Sequence, residues 1–83
     1  MSSQPLVTFY TRAGCHLCDD AKRVLAEARR KAAFAYEEID IDRHPEWLGL
    51  YNEEVPVIAI DGRKAFKYRV AVSEFLKRLA ARV

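Results

Sequence analysis

The feature that most constrains this chain is the junction where the apolar run Leu6-Val7-Thr8-Phe9-Tyr10 gives way, through Thr11-Arg12-Ala13-Gly14, to Cys15-His16-Leu17-Cys18. β-Branched and aromatic residues bounded by Pro5 and the Ala13-Gly14 turn predict a short buried strand. From Cys15 the period changes. Leu17, Ala21, Val24, Leu25, Ala28 and Ala32 recur at helical spacing, while Lys22, Arg23, Arg29 and Arg30 fall on other faces. Asp19 and Asp20 suit the start of that helix, and Arg29, Arg30 and Lys31 suit its end, because the helix dipole favours acid at the N-terminus and base at the C-terminus. A strand therefore feeds a helix that opens on one cysteine and carries a second one turn later.

Downstream, Phe34 to Ile41 alternates and predicts a second strand with one polar-leaning face. Pro45 near a helix start, followed by Trp47, Leu48 and Tyr51, predicts a short helix. Pro56 to Ile60, the Asp61-Gly62 pair and Arg63 to Val70 form a strand, a tight turn and a strand. Ser73 is expected to cap a last helix whose buried stripe is Phe75, Leu76, Leu79 and Val83. The order β-α-β-α-β-β-α implies an α/β fold, with parallel pairing at the start and an antiparallel hairpin at the end of a mixed four-stranded sheet flanked by helices.

Eighty-three residues, 51% of them hydrophobic, are enough for one small core, so residues 1–83 are expected to form a single domain. No apolar run approaches the roughly 20 residues of a membrane span, and the N-terminus lacks the basic and apolar regions of a secretory leader. A soluble cytoplasmic protein, monomeric and held in a reducing compartment, is the expectation. The net charge of +2 does not point to nucleic acid. Basic, acidic and basic stretches follow one another, and they are expected to be solvated faces carrying pairs such as Glu27 with Lys31. A basic rim that attracts an acidic partner is the sharper alternative.

The two cysteines admit three chemical readings. As a structural staple they are poor, since a bridge across so short a loop removes little chain entropy. As a zinc clamp they lack partners, because His16 and His44 are the remaining candidate ligands and a structural zinc site takes four. An inert reduced pair packed in the core is a further possibility. As a redox pair they are well placed. The amides and positive dipole end of a helix start favour the thiolate, which is the attacking species in exchange, and such cysteines titrate well below the usual value of about 8.5. Cys15 is the expected nucleophile and Cys18 the resolving thiol. A protonated His16 would reinforce the thiolate of Cys15, whereas Asp19 and Asp20 oppose it and Arg12 offsets them.

The strand, the C-x-x-C helix start and the later Glu53-Glu54-Val55-Pro56-Val57-Ile58-Ala59-Ile60-Asp61-Gly62 together resemble the glutaredoxin family, within the thioredoxin fold, from about Leu6 to Leu79. The resemblance implies a cis peptide before Pro56, with Pro56 against the cysteine pair and the backbone of Val55 open to an extended substrate. It implies a dithiol oxidoreductase that needs no cofactor or metal. Its substrate would be a disulfide-containing protein or a small thiol such as glutathione, and an external thiol reductant would reset it. Arg12, His16, Leu17, Val55, Pro56, Lys67 and Arg69 would surround the substrate. Two departures stand out. His16-Leu17 replaces the family's common Pro-Tyr, and Phe66-Lys67-Tyr68-Arg69-Val70 has no glycine where glutaredoxins carry the Gly-Gly turn that receives glutathione. A non-catalytic module that binds a partner or a metal through the same thiols is the alternative. Tyr10 and Trp47 are expected in the core, and Asp40 and Asp42 are expected to cap or face solvent.

Overall fold

In the computed structural model, which describes residues 4–81, four strands and three α-helices follow the expected order. They are β1 (Leu6–Thr11), α1 (His16–Arg29), β2 (Ala35–Asp40), a 3-10 turn at Ile41–Arg43, α2 (Pro45–Tyr51), β3 (Val57–Ile60), β4 (Arg63–Lys67) and α3 (Val72–Ala80). The sheet runs β2-β1-β3-β4, with β2 parallel to β1 and the other neighbours antiparallel. The central strands β1 and β3 are the near-continuous apolar runs, as burial on both sheet faces requires, and the edge strand β2 is the polar one.

Strand alternation divides the interior between two faces. Val7, Phe9, Ile58 and Ile60 meet Cys18, Ala21, Leu25 and Ala28 of α1 and Phe75 and Leu79 of α3. Tyr10, Val57 and Ala59 point the other way, where Ile41 joins them and Trp47, Leu48 and Tyr51 of α2 close over them. Phe75 is fully buried, with the Phe34 ring at 5.6 Å edge-on and the Phe66 ring at 6.2 Å. Tyr10 is buried and Trp47 half-buried, their rings 4.9 Å apart, so both are packing residues.

Several expected boundaries move. The buried stripe of α1 is Cys18, Ala21, Leu25 and Ala28, while Leu17, Val24 and Ala32 are only half-buried, because one face of the helix meets the sheet. The final helix begins two residues earlier than a Ser73 cap would allow. Ala71 is the capping position, its carbonyl accepts from the Phe75 amide over 2.9 Å, and Ser73 lies inside the first turn. Seating Phe75 and Leu79 in the core sets where that helix starts. Val83, expected in the same stripe, lies outside the described residues. The last strand stops at Lys67 instead of continuing to Val70, since Tyr68 turns to a φ of +69°. The β3–β4 hairpin turns on Asp61 and Gly62, both at positive φ, as a two-residue turn of this kind demands.

Candidate redox site at one end of the sheet

Strand register brings the functional segments together. Thr11 at the end of β1 pairs with Asp40, Tyr10 faces Val57 at the start of β3, and Val57 faces Lys67 at the end of β4. The loop into Cys15, the segment after β2, the Val55-Pro56 segment and the Lys67-Tyr68-Arg69 turn therefore lie at the same end of the sheet.

Cys15 is the capping residue of α1, with extended backbone, and its Sγ accepts a hydrogen bond from the Cys18 amide over 3.1 Å. Cys15 is half-buried, Cys18 is 3% exposed, and the two are joined as a disulfide with Cα atoms 5.1 Å apart. The outer sulfur thus belongs to the residue at the helix opening, and Cys18 stands behind it in the core. His16 is exposed on the first turn, and Leu17 is half-buried. Asp19, Glu38 and Asp40 border an open depression that reaches Cys18, but Arg12 and Lys22 line it too, so the charges there are mixed in sign. The helix opening concentrates positive potential at Cys15 instead.

The peptide between Val55 and Pro56 is cis. Pro56 is fully buried, and Val55 packs against both core clusters, the one containing Cys18 and the one containing Tyr10. Two cations hold the chain that leads into this segment. Arg12 Nη1 donates to the Asn52 carbonyl at 3.1 Å and to Asn52 Oδ1 at 2.8 Å, while its Nη2 donates to Asp42 Oδ1 at 2.7 Å. Lys64 Nζ donates to Glu54 Oε1 at 2.7 Å and lies 5.6 Å from the Tyr51 ring. The bond from Lys64 holds the Glu54 carboxyl below its ordinary range, and the same bond raises Lys64.

Arg12 makes its direct bonds away from Asp19 and Asp20, although its position beside the motif suggests them as partners. Its planar fork is taken by Asp42 and Asn52, and Asp20 pairs with Arg23. Asp40 caps the 3-10 turn by accepting from the Asp42 amide at 3.0 Å, as expected of an acid ending that strand. Among the described residues no three His, Cys, Asp or Glu side chains are grouped to hold a metal ion. Asn52, Glu54 and Lys64 escape sequence reasoning, because their pairings join segments with no periodic or motif signal.

On the far side of the disulfide, Lys67 and Arg69 are exposed and flank Tyr68. The Tyr68 amide donates to the Pro56 carbonyl at 2.9 Å, and the Arg69 amide donates to the Lys67 carbonyl at 2.8 Å. An i to i+2 bond around a residue at φ +69° is a left-handed γ-turn, a strained conformation that glycine adopts more readily than tyrosine. The Gly-free stretch thus makes its tight turn with a tyrosine.

A mixed sheet in this order, with a cysteine pair opening its first helix, defines the thioredoxin fold. The thioredoxin pre-protein of Schistosoma mansoni shares it at a TM-score of 0.71 and 16% identity over 98% of this chain and 81% of that one, which bears on the fold alone. The chain belongs to the glutaredoxin-like family, for its residues 6–80 match the Glutaredoxin-like domain (DUF836). It is similar to a glutaredoxin-like protein, YDR286C homolog, of Dictyostelium discoideum, 36% identical over 77% of this chain. The match spans 65% of that relative's length. The X-ray structure of target protein XcR50 from X. campestris is 32% identical with a TM-score of 0.79, covering 93% of this chain and 99% of that one.

Proposed function

We propose that the chain is a thiol-disulfide oxidoreductase that works through Cys15 and Cys18. The reduced Cys15 thiolate attacks one sulfur of a substrate disulfide. A Cys15–substrate bond forms, the substrate S–S bond breaks, and the released sulfur takes up a proton. Cys18, deprotonated, then attacks Cys15 Sγ. The mixed disulfide breaks, the second substrate thiol departs, and the Cys15–Cys18 disulfide remains. Two electrons have passed to the substrate, and an external thiol reductant, a small thiol such as glutathione or a reductase, returns them.

The observation that carries this reading is the Cys18 amide donating to Cys15 Sγ at the head of α1, with Cys15 the outer residue and Cys18 the buried one. The helix start stabilises charge on the attacking sulfur, and the spacing lets the second sulfur reach it. The substrate is expected to lie along Val55 and Pro56, between His16 and Leu17 on one side and Lys67 and Arg69 on the other. Arg12, whose donors are engaged by Asp42 and Asn52, serves as a positioning residue that ties the cysteine loop to the segment before Pro56. No helix among the described residues is long and apolar enough to cross a membrane, and we place the protein in the cytoplasm, acting as a monomer.

The test is reduction of hydroxyethyl disulfide with an external thiol. Wild type should turn over and Cys15→Ser should be inert, whereas a Cys15→Ser protein as active as wild type would end the reading. Cys18→Ser retains only what a single thiol can do, and in a cell extract it should hold its partner as a stable mixed disulfide.

A further inference from the structure

We infer that the cleft between the start of α1 and the Tyr68-Arg69 turn is a recognition site for an acidic side chain, close to the reactive cysteine of a polypeptide substrate. This rests on the proposed exchange reaction and names its substrate class. The cleft, about 90 Å³, is lined by Leu17, Asp20, Ala21, Tyr68, Arg69 and Val70. Leu17 lies between the two cysteines in sequence, so a chain bonded to Cys15 passes beside it.

Charge decides what the cleft takes. The cations elsewhere around the site are matched: Arg12 to Asp42, Lys64 to Glu54 and Lys22 to Glu38. Asp20, the carboxylate in the cleft wall, is matched by Arg23. Lys67 and Arg69 have no ion-pair partner among the described residues, and Lys67 Nζ lies 5.4 Å from the centre of the exposed Tyr68 ring. Arg69 thus brings a guanidinium with no ion pair among the described residues to the cleft itself, beside the apolar surfaces of Tyr68 and Leu17, while Asp19 borders a separate depression and Lys67 acts at longer range on Glu54.

The turn's backbone bonding narrows how a ligand can be held. The Tyr68 and Arg69 amides are both used within the protein, by Pro56 and Lys67. Neither is left for a ligand's main-chain carboxylate. What Tyr68 and Arg69 themselves offer a ligand is thus their side chains, and the planar guanidinium of Arg69 is shaped to take a carboxylate in two bonds.

The experiment compares two peptides that differ by Glu or Lys next to one cysteine, each as a mixed disulfide with 2-mercaptoethanol. Glutathione carrying the same group and neutral hydroxyethyl disulfide are run alongside. At low ionic strength the wild type should favour the Glu peptide over the Lys peptide by about fivefold in kcat/KM, the size expected of exposed charge pairs, and salt should shrink the ratio. The Glu peptide should also exceed the glutathione mixed disulfide. Arg69→Glu should invert the Glu-to-Lys ratio. A ratio near one in wild type, the same preference in Arg69→Glu, or glutathione as the best substrate overturns the assignment. If the neutral disulfide is reduced in those cases, only the cleft assignment falls. If wild type reduces no disulfide at all, the exchange reading falls and takes the cleft with it.

Discussion

The Cys18 amide donates to Cys15 Sγ over 3.1 Å, a bond that in the reduced protein would favour a thiolate at Cys15, as the proposed exchange requires. In the reduced protein, alkylation of Cys15 by iodoacetamide should follow a thiolate that persists well below pH 8.5, the usual cysteine value of about that size. Mass spectrometry should find Cys15 labelled before Cys18. Equal labelling of both residues, with a midpoint at the ordinary value, contradicts the assigned roles.

The Arg12–Asp42 pair joins the cysteine loop to the turn after β2, with side chains 32% and 41% exposed. Solvent screening limits its worth, so an Arg12→Ala, Asp42→Ala double-mutant cycle should return a coupling of about 0.5 to 1 kcal/mol in urea unfolding. Arg12→Lys should lose most of it, because an ammonium cannot reproduce the fork that also reaches Asn52.

Tyr68 at φ +69° occupies a backbone region that disfavours residues with a Cβ. Tyr68→Gly should raise stability by about 1 kcal/mol, read as a higher denaturation midpoint. A loss of that size would mean that the ring contributes more than the backbone conformation costs.

Phe75, without exposed surface and set between Phe34 and Phe66, anchors α3 to the sheet. Phe75→Ala should cost about 3 to 5 kcal/mol, a large share of the total stability of a domain this small. Thermal unfolding followed by circular dichroism checks it.

Glu54 and Lys64 link stability to pH at both extremes. Glu54 titrates below its ordinary 4.5 in the folded chain, so its share is present above that value and is lost as pH falls through the lowered one. Lys64 titrates above its ordinary 10.5, so its share is present below that value and is lost as pH rises through the raised one. Glu54→Gln should flatten both limbs of the urea-midpoint profile relative to wild type. Limbs that match wild type would show that the pair adds nothing to folding.

Much of the fold was legible because periodicity is a local property. The apolar runs of β1 and β3, the Asp61-Gly62 turn and the helical spacing after Cys15 each announce an element without reference to the rest of the chain. The placement of Cys15 and Cys18 at a helix start was legible for the same reason, since that start lies in their own segment. Ser73 misled because a good capping residue is a weak preference, and burial of Phe75 and Leu79 outweighs it. Arg12 misled because proximity in sequence to Asp19 and Asp20 says nothing about Asp42 and Asn52, which only sheet pairing brings within reach.

Residue order alone determined the β-α-β-α-β-β-α succession, the cysteine pair at a helix opening and the proline that precedes the third strand. Tertiary structure alone decided that β2 lies beside β1 and β3 on its other side, and that the ends of β1, β2 and β4 share one edge of the sheet with the start of β3. It also decided that Arg12 pairs with Asp42 and Lys64 with Glu54, while Lys67 and Arg69 have no ion pair among the described residues and flank a tyrosine in a glycine's conformation. Strand and helix tendencies act over a few neighbouring residues, whereas these pairings span tens of residues and form only when the core closes.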